Sequence, residues 1–493
     1  MSTEWGDTLG DLAARRTRAR AMGGEERLAR QHGAGKLDAR ARVDELVDDG
    51  SFQEIGTLVG RVPADAFVAG FGRIDGRPVM IGAEDFTVEG GSIGTGNNAK
   101  RYRVAELALR DRVPLVMMLE GAGYRTTERV HGRYPTDLLA QARCSGHVPV
   151  VTAVLGSSAG HGALVAPVSD FSVMTEGAAI FTAGPPVVRE ATGEQVTKEE
   201  LGGPSVALAS GLVHNLATDD REALGQVRTY LSYFPSSAWS YPPSLEPRDD
   251  LGPCDDLVDV VPRDGRRTYD MRDVLSRVLD DGTWFEVQGH YGPSVLCLLA
   301  HLGGDPVAVV ANQPLVYAGS VDAAAAEKAA HFVKVADAFH LPLVFLADNP
   351  GILPGKRSEE QGVLRKGARM FLAQTLVETP KLHLTLRKAY GFGSMVMAMV
   401  SYDGQAGTFA YPGATLGAMG AGAASRAIRA DEEQARSLRE AELQASYSSA
   451  ESFGFDELID PRDTRRVLTE TLRRSLARRQ VPAAPVLRSA IEP

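Results

Sequence analysis

Four short glycine-bearing turns follow apolar, strand-like runs of the sequence, and their residue types suit the binding of a negatively charged oxygen. The turns are Gly121-Ala122-Gly123, Gly160-His161-Gly162, Asn349-Pro350-Gly351-Ile352 and Gly391-Phe392-Gly393. Small residues at a strand end let backbone N–H groups approach a ligand closely, and a helix that begins there adds the positive end of its dipole. Two such turns together form an oxyanion hole, although any one alone can equally be a tight connection between strand and helix.

The turns belong to a pattern that the chain carries twice. Val79-Met80-Ile81 and Pro114-Leu115-Val116 return as Val307-Ala308-Val309 and Pro342-Leu343-Val344, with the same offset in residue number for both segments. The prolines that lead into the later turns, Pro149 and Pro380, repeat at a slightly larger offset. The duplication predicts two related halves, each with its own pair of turns. Two anion sites suit a reaction that stabilises negative charge on a donor and on an acceptor.

The elements around the turns follow an α/β pattern. Short apolar runs alternate with alanine-rich segments such as 99–110 and 323–340 in both halves, which predicts buried strands covered by helices. A helical arm is predicted at 7–32 and a single helix at 424–445. Several prolines between 231 and 265 exclude a long regular element and predict a linker, so we expect domains at 1–245 and 246–493.

Composition excludes several classes of function. The 493-residue chain has a formal net charge of −10, which argues against a nucleic-acid or anionic-membrane partner. We find neither a signal-peptide pattern nor an 18-residue apolar span, so we expect a cytoplasmic protein. Its three cysteines are too few and too far apart for a disulfide framework or a C-x-x-C site, and the histidines have no metal-ligand spacing. No bound metal is therefore predicted.

One segment resembles a nucleotide-binding loop. Gly94-Thr95-Gly96-Asn97-Asn98-Ala99 has the glycine spacing of a dinucleotide fingerprint. A Rossmann loop turns directly from strand to helix, whereas a long segment separates this one from the preceding strand, and the second copy has Ala323-Ala324-Ala325 there. No G-x-x-x-x-G-K-[ST] motif is present either. We therefore predict no bound nucleotide.

Longer segments carry a resemblance that covers nearly the whole chain. They are 23–56, Glu84-Asp85-Phe86-Thr87-Val88 with Gly90-Gly91-Ser92, 200–214, 312–314, 327–339, 348–355, 387–393 and 460–468. In these segments the chain resembles the carboxyltransferase β-subunits of biotin-dependent acyl-CoA carboxylases, of the propionyl-CoA and acetyl-CoA type. The resemblance implies an α/β fold of duplicated crotonase-like (ClpP/crotonase) domains. It also implies transfer of a carboxyl group from carboxybiotin to the α-carbon of an acyl-CoA.

The division of labour in that family implies partners. Biotin resides on a separate carrier protein, and no lysine of this chain lies in a Met-Lys-Met biotinylation context. A biotin carboxylase and a biotin carrier subunit are therefore expected on other chains. Within a homo-hexamer, the N-terminal half would bind the acyl-CoA and the C-terminal half of a neighbouring subunit would bind biotin.

The resemblance also implies site residues, which follow from the matching positions in this sequence. The expected oxyanion donors are Ala122 and Gly123 for the thioester enolate and Phe392 and Gly393 for the ureido oxygen of biotin. Expected contacts to CoA and the acyl group are Gly160, His161, Gly162, Ser394 and Met395, and those to biotin are Gly351, Ile352 and Gly391.

The chain departs from the family pattern at these turns. The usual Gly-Gly pairs become Gly160-His161 and Gly391-Phe392, and the usual Tyr-Asp becomes Ser394-Met395. Loss of that acid favours a more apolar acyl chain, because an unpaired carboxylate disfavours hydrocarbon beside it.

Three questions remain open from the sequence. His161 could donate a proton to an enolate, giving a biotin-independent decarboxylase of a malonyl-type thioester, or it could pack away from the pocket. The chain could also be an inactive hexameric scaffold that recruits a carrier protein. Lys36, Arg40 and Arg42 are candidate contacts to CoA phosphates, against the default of solvated surface charge.

Overall fold

A computed structural model describes residues 5–128, 135–246, 254–280, 284–399, 404–479, 483–486 and 491–493. The described parts of Met1–Trp239 and Leu487–Pro493 form a first compact unit, and those of Ser240–Val486 form a second. The boundary expected between residues 245 and 246 stays a prediction, and part of the predicted linker, 247–253, lies outside the described residues.

The first unit contains nine α-helices and eight strands in its described residues. The helices are α1 (Gly6–Arg20), α2 (Glu25–Gly33), α3 (Ala39–Leu46), α4 (Thr95–Asp111), α5 (Asp137–Cys144), α6 (Pro185–Thr192), α7 (Lys198–Gly202), α8 (Pro204–Ala209) and α9 (Asp220–Ser232). The strands are β1 (Gln53–Glu54), β2 (Phe67–Ile74), β3 (Arg77–Glu84), β4 (Leu115–Gly121), β5 (Val150–Ala159), β6 (Phe171–Thr175), β7 (Ala179–Phe181) and β8 (Asn215–Ala217).

The second unit has the same kinds of elements. Its described helices are α10 (Leu257–Val260), α11 (Met271–Val278), α12 (Ala323–Ala338), α13 (Lys356–Glu360), α14 (Val363–Thr375), α15 (Gly391–Val396), α16 (Ala421–Ala427), α17 (Glu432–Glu451) and α18 (Thr464–Leu476). Its described strands are β9 (Phe285–Glu286), β10 (Val295–Leu302), β11 (Asp305–Asn312), β12 (Leu343–Asn349), β13 (Lys381–Tyr390), β14 (Gly407–Ala410), β15 (Thr415–Gly417) and β16 (Glu457–Leu458).

The two sheets have the same topology. The first runs β1-β2-β3-β4-β5-β6-β8 with β7 beside β5, and the second runs β9-β10-β11-β12-β13-β14-β16 with β15 beside β13. In each sheet the first three strands are antiparallel, and the strands that follow pair in parallel. The duplicated sequence pattern is therefore a duplicated fold, and the α/β class predicted from it is confirmed.

The pairing register repeats as well. Met80 faces Leu115 in the first sheet, and Ala308 faces Leu343 in the second. The register shifts at the end of β4, between Leu119 and Gly121, and likewise at the end of β12, between Ala347 and Asn349. These irregularities lie where the strands run into the first glycine turn of each unit, so the same local bend presents both turns.

Apolar strands form the core of each unit because helices cover the sheet. Every residue of β4 and of β12 is buried, which explains why these strands read as continuous apolar runs and not as alternating ones. The three cysteines, Cys144, Cys254 and Cys297, are free and buried.

Two helix predictions need correction in detail. The arm at 7–32 is two helices, because the chain turns at Gly24, whose φ is 84°. The single helix expected at 424–445 is wrong. The helix is interrupted between α16 and α17, where Asp431 and Gln434 form a capping box that starts a new helix. Among the described residues, no helix has the length and apolar character needed to cross a membrane.

Candidate functional site

In the first unit, the two glycine turns lie directly against each other. Gly123 follows β4 with a φ of 82°, a conformation that favours glycine. A Cβ on Gly123 would lie 2.8 Å from the carbonyl oxygen of Ala159, the last residue of β5. Gly160 comes next, also with a positive φ of 57°. Gly123 is therefore needed for the close approach of the two strand ends, and Gly160 supplies the positive φ of the second turn.

Hydrogen bonds decide which backbone donors of these turns are available. The N–H of Ala122 donates to the carbonyl oxygen of Gly90 at 2.9 Å, so this expected oxyanion donor is already engaged. Within the described part of the chain, the N–H groups of Gly123, His161 and Gly162 make no hydrogen bond. Backbone donors that have no internal partner are available to a ligand oxygen. The first unit thus offers three free donors at adjacent turns.

An acidic residue holds the first turn from behind. Glu120 accepts hydrogen bonds from Lys36 at 2.7 Å and from Gln31 at 2.8 Å, and it forms an ion pair with Arg42 at 2.7 Å. Arg42 is buried and also pairs with Asp220. Carboxylates therefore already neutralise two of the three candidate phosphate contacts.

The third candidate, Arg40, forms a two-pronged ion pair with Glu54, with N···O distances of 2.9 and 3.0 Å. Like the charges of Lys36 and Arg42, the charge of Arg40 is therefore already paired within the protein. A cavity of about 530 Å³, lined by residues that include Lys36, Phe86, Gly90 and Glu120, opens beside this cluster.

His161 is held by a carboxylate. Its Nε2 lies 2.5 Å from Oδ1 of Asp137, the first residue of α5, and the ring meets Tyr124 edge to face with the ring centroids 6.0 Å apart. The His161 side chain remains 21% exposed. The ring is therefore fixed in orientation and still accessible. The sequence offered a proton donor or a side chain packed away from the pocket, and the structure shows features of both.

The carboxylate of Asp137 belongs to a longer chain of charges. Its Oδ2 accepts a hydrogen bond from Arg101 Nε at 2.6 Å, and Arg101 also donates to Glu84 Oε1 at 2.8 Å. Burial opposes ionisation of Asp137, but the Arg101 charge and the hydrogen bond from His161 outweigh it and hold the pKa of Asp137 below its ordinary range. Burial raises the pKa of Glu84, against the effect of Arg101.

In the second unit, the turns after β12 and β13 approach even more closely. A Cβ on Gly393 would lie 2.5 Å from the Cα of Gly351, whose own φ is 127°. The Gly351 N–H donates to Oδ1 of Asn349 at 3.1 Å. The N–H groups of Phe392 and Gly393, in the first turn of α15, have no partner among the described residues. These two donors are available to a ligand oxygen.

The remaining expected residues of the second unit lie around this turn. Gly391 has a φ of 54°, Ile352 forms an isolated β-bridge with Val321, and the Ser394 hydroxyl donates to the carbonyl oxygen of Gly391 at 2.7 Å. Met395 is 44% exposed. The Ser394 hydroxyl therefore stabilises the turn itself, and Met395 is open to contact.

The Phe392 ring packs against helix α14. The ring lies against Phe371 of α14, with the centroids 5.9 Å apart, and beside Gly367 of the same helix. The ring therefore occupies space beside α14. The Phe392 N–H makes no hydrogen bond among the described residues. A cavity of about 750 Å³ in this unit reaches Lys388 and Tyr390, the residues that precede Gly391.

Sequence reasoning missed the partners of His161. Asp137, Arg101 and Glu84 lie on three other elements, and no local motif marks them. One signal was present: the second repeat has no charge at the matching positions. Among the described residues, no three His, Cys, Asp or Glu side chains are grouped as metal ligands would be.

Comparisons with known proteins show which family the chain is similar to. The profile of the family described as "Carboxyl transferase domain" matches residues 30–485. The chain is 37% identical to the methylmalonyl-CoA carboxyltransferase 12S subunit of Propionibacterium freudenreichii subsp. shermanii, over 96% of this chain and 95% of that one. It is 34% identical to the biotin-dependent acetyl-/propionyl-coenzyme A carboxylase beta5 subunit of Mycobacterium tuberculosis (strain CDC 1551 / Oshkosh), over 97% and 93% of the two chains.

A solved structure is similar throughout. The transcarboxylase 12S crystal structure, described as a hexamer assembly with methylmalonyl-coenzyme A and methylmalonic acid bound, superposes with a TM-score of 0.92 at 34% identity and covers 100% of both chains. Its duplicated fold matches the two units described above.

Proposed function

The chain belongs to the carboxyl transferase domain family, and from this premise we propose that it transfers a carboxyl group from carboxybiotin to the α-carbon of an acyl-CoA. It is an acyl-CoA carboxylase carboxyltransferase of the β-subunit type, built as two crotonase-like α/β domains. The residue roles below, and the division into an acyl-CoA domain at 1–245 and a biotin domain at 246–493, are part of the proposal.

One observation supports this function most strongly: each unit ends two neighbouring parallel strands on turns with free backbone donors. The donors are Gly123, His161 and Gly162 in the first unit and Phe392 and Gly393 in the second. Carboxyl transfer develops negative charge on a thioester oxygen and on the ureido oxygen of biotin. Two separate sets of N–H groups suit these two oxygens.

In the first unit, the thioester oxygen accepts hydrogen bonds from the N–H groups of Gly123, His161 and Gly162. These donors stabilise the enolate that forms when the α-proton leaves. Removal of one such donor typically costs about 3–4 kcal/mol of transition-state stabilisation. Ala122 serves as a positioning residue, because its N–H ties the turn to Gly90.

In the second unit, the residues present fit a ureido group. Phe392 and Gly393 supply two adjacent donors, and Gly351 and Ile352 form the facing turn. Gly391 allows the positive φ at which α15 begins. Carboxybiotin, when bound, supplies the carboxyl carbon. The chain contributes the hydrogen bonds that orient the ureido oxygen, and Met395 and Ser394 border the acyl group.

Assembly and location complete the proposal. The similar 12S structure is described as a hexamer assembly, and we propose a homo-hexamer for this chain as well. A biotin carboxylase and a biotin carrier protein on other chains supply the carboxyl donor. The cytoplasmic location stays a prediction.

The test is carboxyl loss in the reverse direction. Purified protein is incubated with methylmalonyl-CoA or malonyl-CoA, with and without free biotin, and the loss of the carboxyl group is followed by mass spectrometry. We expect added biotin to increase the rate. If biotin has no effect on either thioester, the carboxybiotin assignment is contradicted. If neither thioester loses its carboxyl group under any condition, the scaffold alternative gains support.

A further inference from the structure

The two repeats differ in charge at four matched positions beside the turns. The constant offset of the early segments pairs Glu84 with Asn312 and Arg101 with Ala329, and the offset of the later turns pairs Asp137 with Ala368 and His161 with Phe392. The first repeat has a titratable or charged residue at each position, and the second has none. In the second repeat Phe392 packs against Phe371 of α14, whereas His161 bonds to Asp137 of the matching helix α5. The fold therefore does not require the charges.

Burial of these charges carries a cost that an apolar set would avoid. The side chains of Arg101 and Asp137 are both 0% exposed, and Glu84 is 1% exposed. Replacement of a buried ion network by apolar residues is often neutral or stabilising, because each charge loses its hydration. Nη2 of Arg101 also lies buried without a hydrogen-bond partner among the described residues. A functional role of His161, the exposed member of the network, thus explains these buried charges better than a contribution to stability does.

The orientation of the ring identifies the reactive atom. Because Nε2 of His161 faces Asp137, its Nδ1 is the nitrogen left to exchange a proton, and no hydrogen bond engages it among the described residues. The backbone N–H of the same residue is one of the free donors of the first unit. A thioester oxygen bound there lies next to the His161 side chain. A carboxylate that bonds one ring nitrogen orients the ring and leaves the other nitrogen available for proton transfer.

We propose that His161, positioned by Asp137, is a general acid that lets the first unit decarboxylate malonyl-type acyl-CoA thioesters without biotin. The bond between the α-carbon and the carboxylate carbon breaks, and CO₂ leaves. The electron pair enters the thioester enolate, whose oxygen is held by the backbone donors. The α-carbon then takes the proton of His161 Nδ1, and the ring recovers a proton from solvent. Each turnover consumes one proton and releases one CO₂.

This inference rests on the proposed binding of acyl-CoA at the first unit, but not on any role of biotin. Among the described residues, the titratable or charged groups that face the His161 ring or its partner are Tyr124 from the turn after β4, Asp137 of α5, Arg101 of α4 and, through Arg101, Glu84 of β3. Because the pKa of Asp137 is held below its ordinary range, its carboxylate stays charged beside the ring. The acid form is required, so the rate should fall as pH rises.

The first experiment measures carboxyl loss from malonyl-CoA and methylmalonyl-CoA with streptavidin present to remove biotin. The wild type should release CO₂, and His161→Gln, which keeps the backbone donors, should lose about 100-fold of that rate. His32→Gln is the matched control, because His32 also pairs with an aspartate, Asp38 at 2.9 Å, but lies far along the chain in α2 and is largely exposed. The control should keep the wild-type rate.

A second pair of variants separates chemistry from folding. His161→Gly should regain activity when free imidazole is added, which a purely structural loss would not allow. Asp137→Asn should lower kcat with little change in KM, because it removes the carboxylate that orients the ring. The proposal is overturned if the wild type is inactive without biotin while biotin still stimulates it, or if His161→Gln retains the full rate. If neither biotin-dependent nor biotin-independent loss occurs, the proposed function fails together with this inference.

Discussion

The carboxylate of Glu84 accepts a hydrogen bond from the backbone N–H of Glu120 at 2.8 Å. The same bond recurs at the matching place in the second repeat, where the side chain of Asn312 accepts one from the N–H of Asp348 at 3.1 Å. Each bond joins the last residue of one strand to the end of the neighbouring parallel strand. The two repeats therefore share this hydrogen bond between neighbouring strands. They differ in whether the accepting side chain is charged, as in Glu84, or neutral, as in Asn312.

Loss of Arg101 alone should destabilise the first unit, although replacement of the whole network would not. Its removal by Arg101→Met leaves the buried carboxylates of Glu84 and Asp137 without a counter-charge. We expect a loss of about 3–5 kcal/mol in the free energy of unfolding, measured by urea denaturation.

Arg103→Met is the control for that experiment. Arg103 lies on the same helix, is 48% exposed and pairs only at the surface with Glu106. Its substitution should change the free energy of unfolding by less than about 0.5 kcal/mol. Equal effects of the two substitutions would show that the buried network contributes nothing beyond helix propensity.

Gly393→Ala should disable the second unit's turn. The added Cβ would lie 2.4 Å from Asn349 Oδ1 and 2.5 Å from the Gly351 Cα, so one of the two turns must shift. We expect biotin-dependent carboxyl loss to fall by about 100-fold or more, as when an oxyanion donor is removed. Gly422→Ala, in α16 with only the end of the Arg426 side chain nearby, should keep the wild-type rate. Comparable losses in both variants would contradict the assignment.

Asp170 should make stability depend on pH. Burial raises its pKa to about 7, although the Val150 N–H donates to it at 2.7 Å. Between the ordinary value of 3.8 and about 7, the folded state holds a proton that the unfolded state has lost, so this group's contribution to stability falls as pH rises. Above about pH 7 the contribution is constant.

Asp170→Asn isolates this effect, since the amide oxygen can still accept the Val150 hydrogen bond. Urea denaturation of both proteins from pH 4.5 to pH 8 gives the difference in free energy of unfolding. The wild type should lose stability relative to the variant up to about pH 7. A difference that does not change with pH would show that Asp170 is ionised throughout the range.

Met395→Asp tests the expected preference for apolar acyl chains. A carboxylate beside the acyl group should disfavour added hydrocarbon, because the charge would lose hydration to it. We expect kcat/KM for propionyl-CoA to fall relative to that for acetyl-CoA, by about 10-fold for a methylene-sized difference. Met395→Leu is the control and should leave the ratio near that of the wild type. An unchanged ratio in the aspartate variant would remove Met395 from the acyl site.

The sequence by itself determined the repeat, the α/β class and the places where strands end on glycine turns. These features are local: an apolar run such as Leu115–Gly121 is buried on both faces wherever the sheet is covered, and a glycine such as Gly123 permits a turn that other residues resist. Repetition at one offset then made the two halves visible without any spatial information. The helix break before Asp431 was missed because its capping residues also occur within helices.

Only the tertiary structure decided which of these groups can act. The Ala122 N–H is used by Gly90 from an earlier turn of the chain, and His161 is oriented by Asp137 on another helix. Lys36 and Arg42 turn inward to Glu120 instead of toward solvent. A hydrogen bond between distant residues depends on how strands and helices pack, and one sequence position does not reveal its partner. The availability of a donor, a charge or a proton is therefore a property of the folded chain.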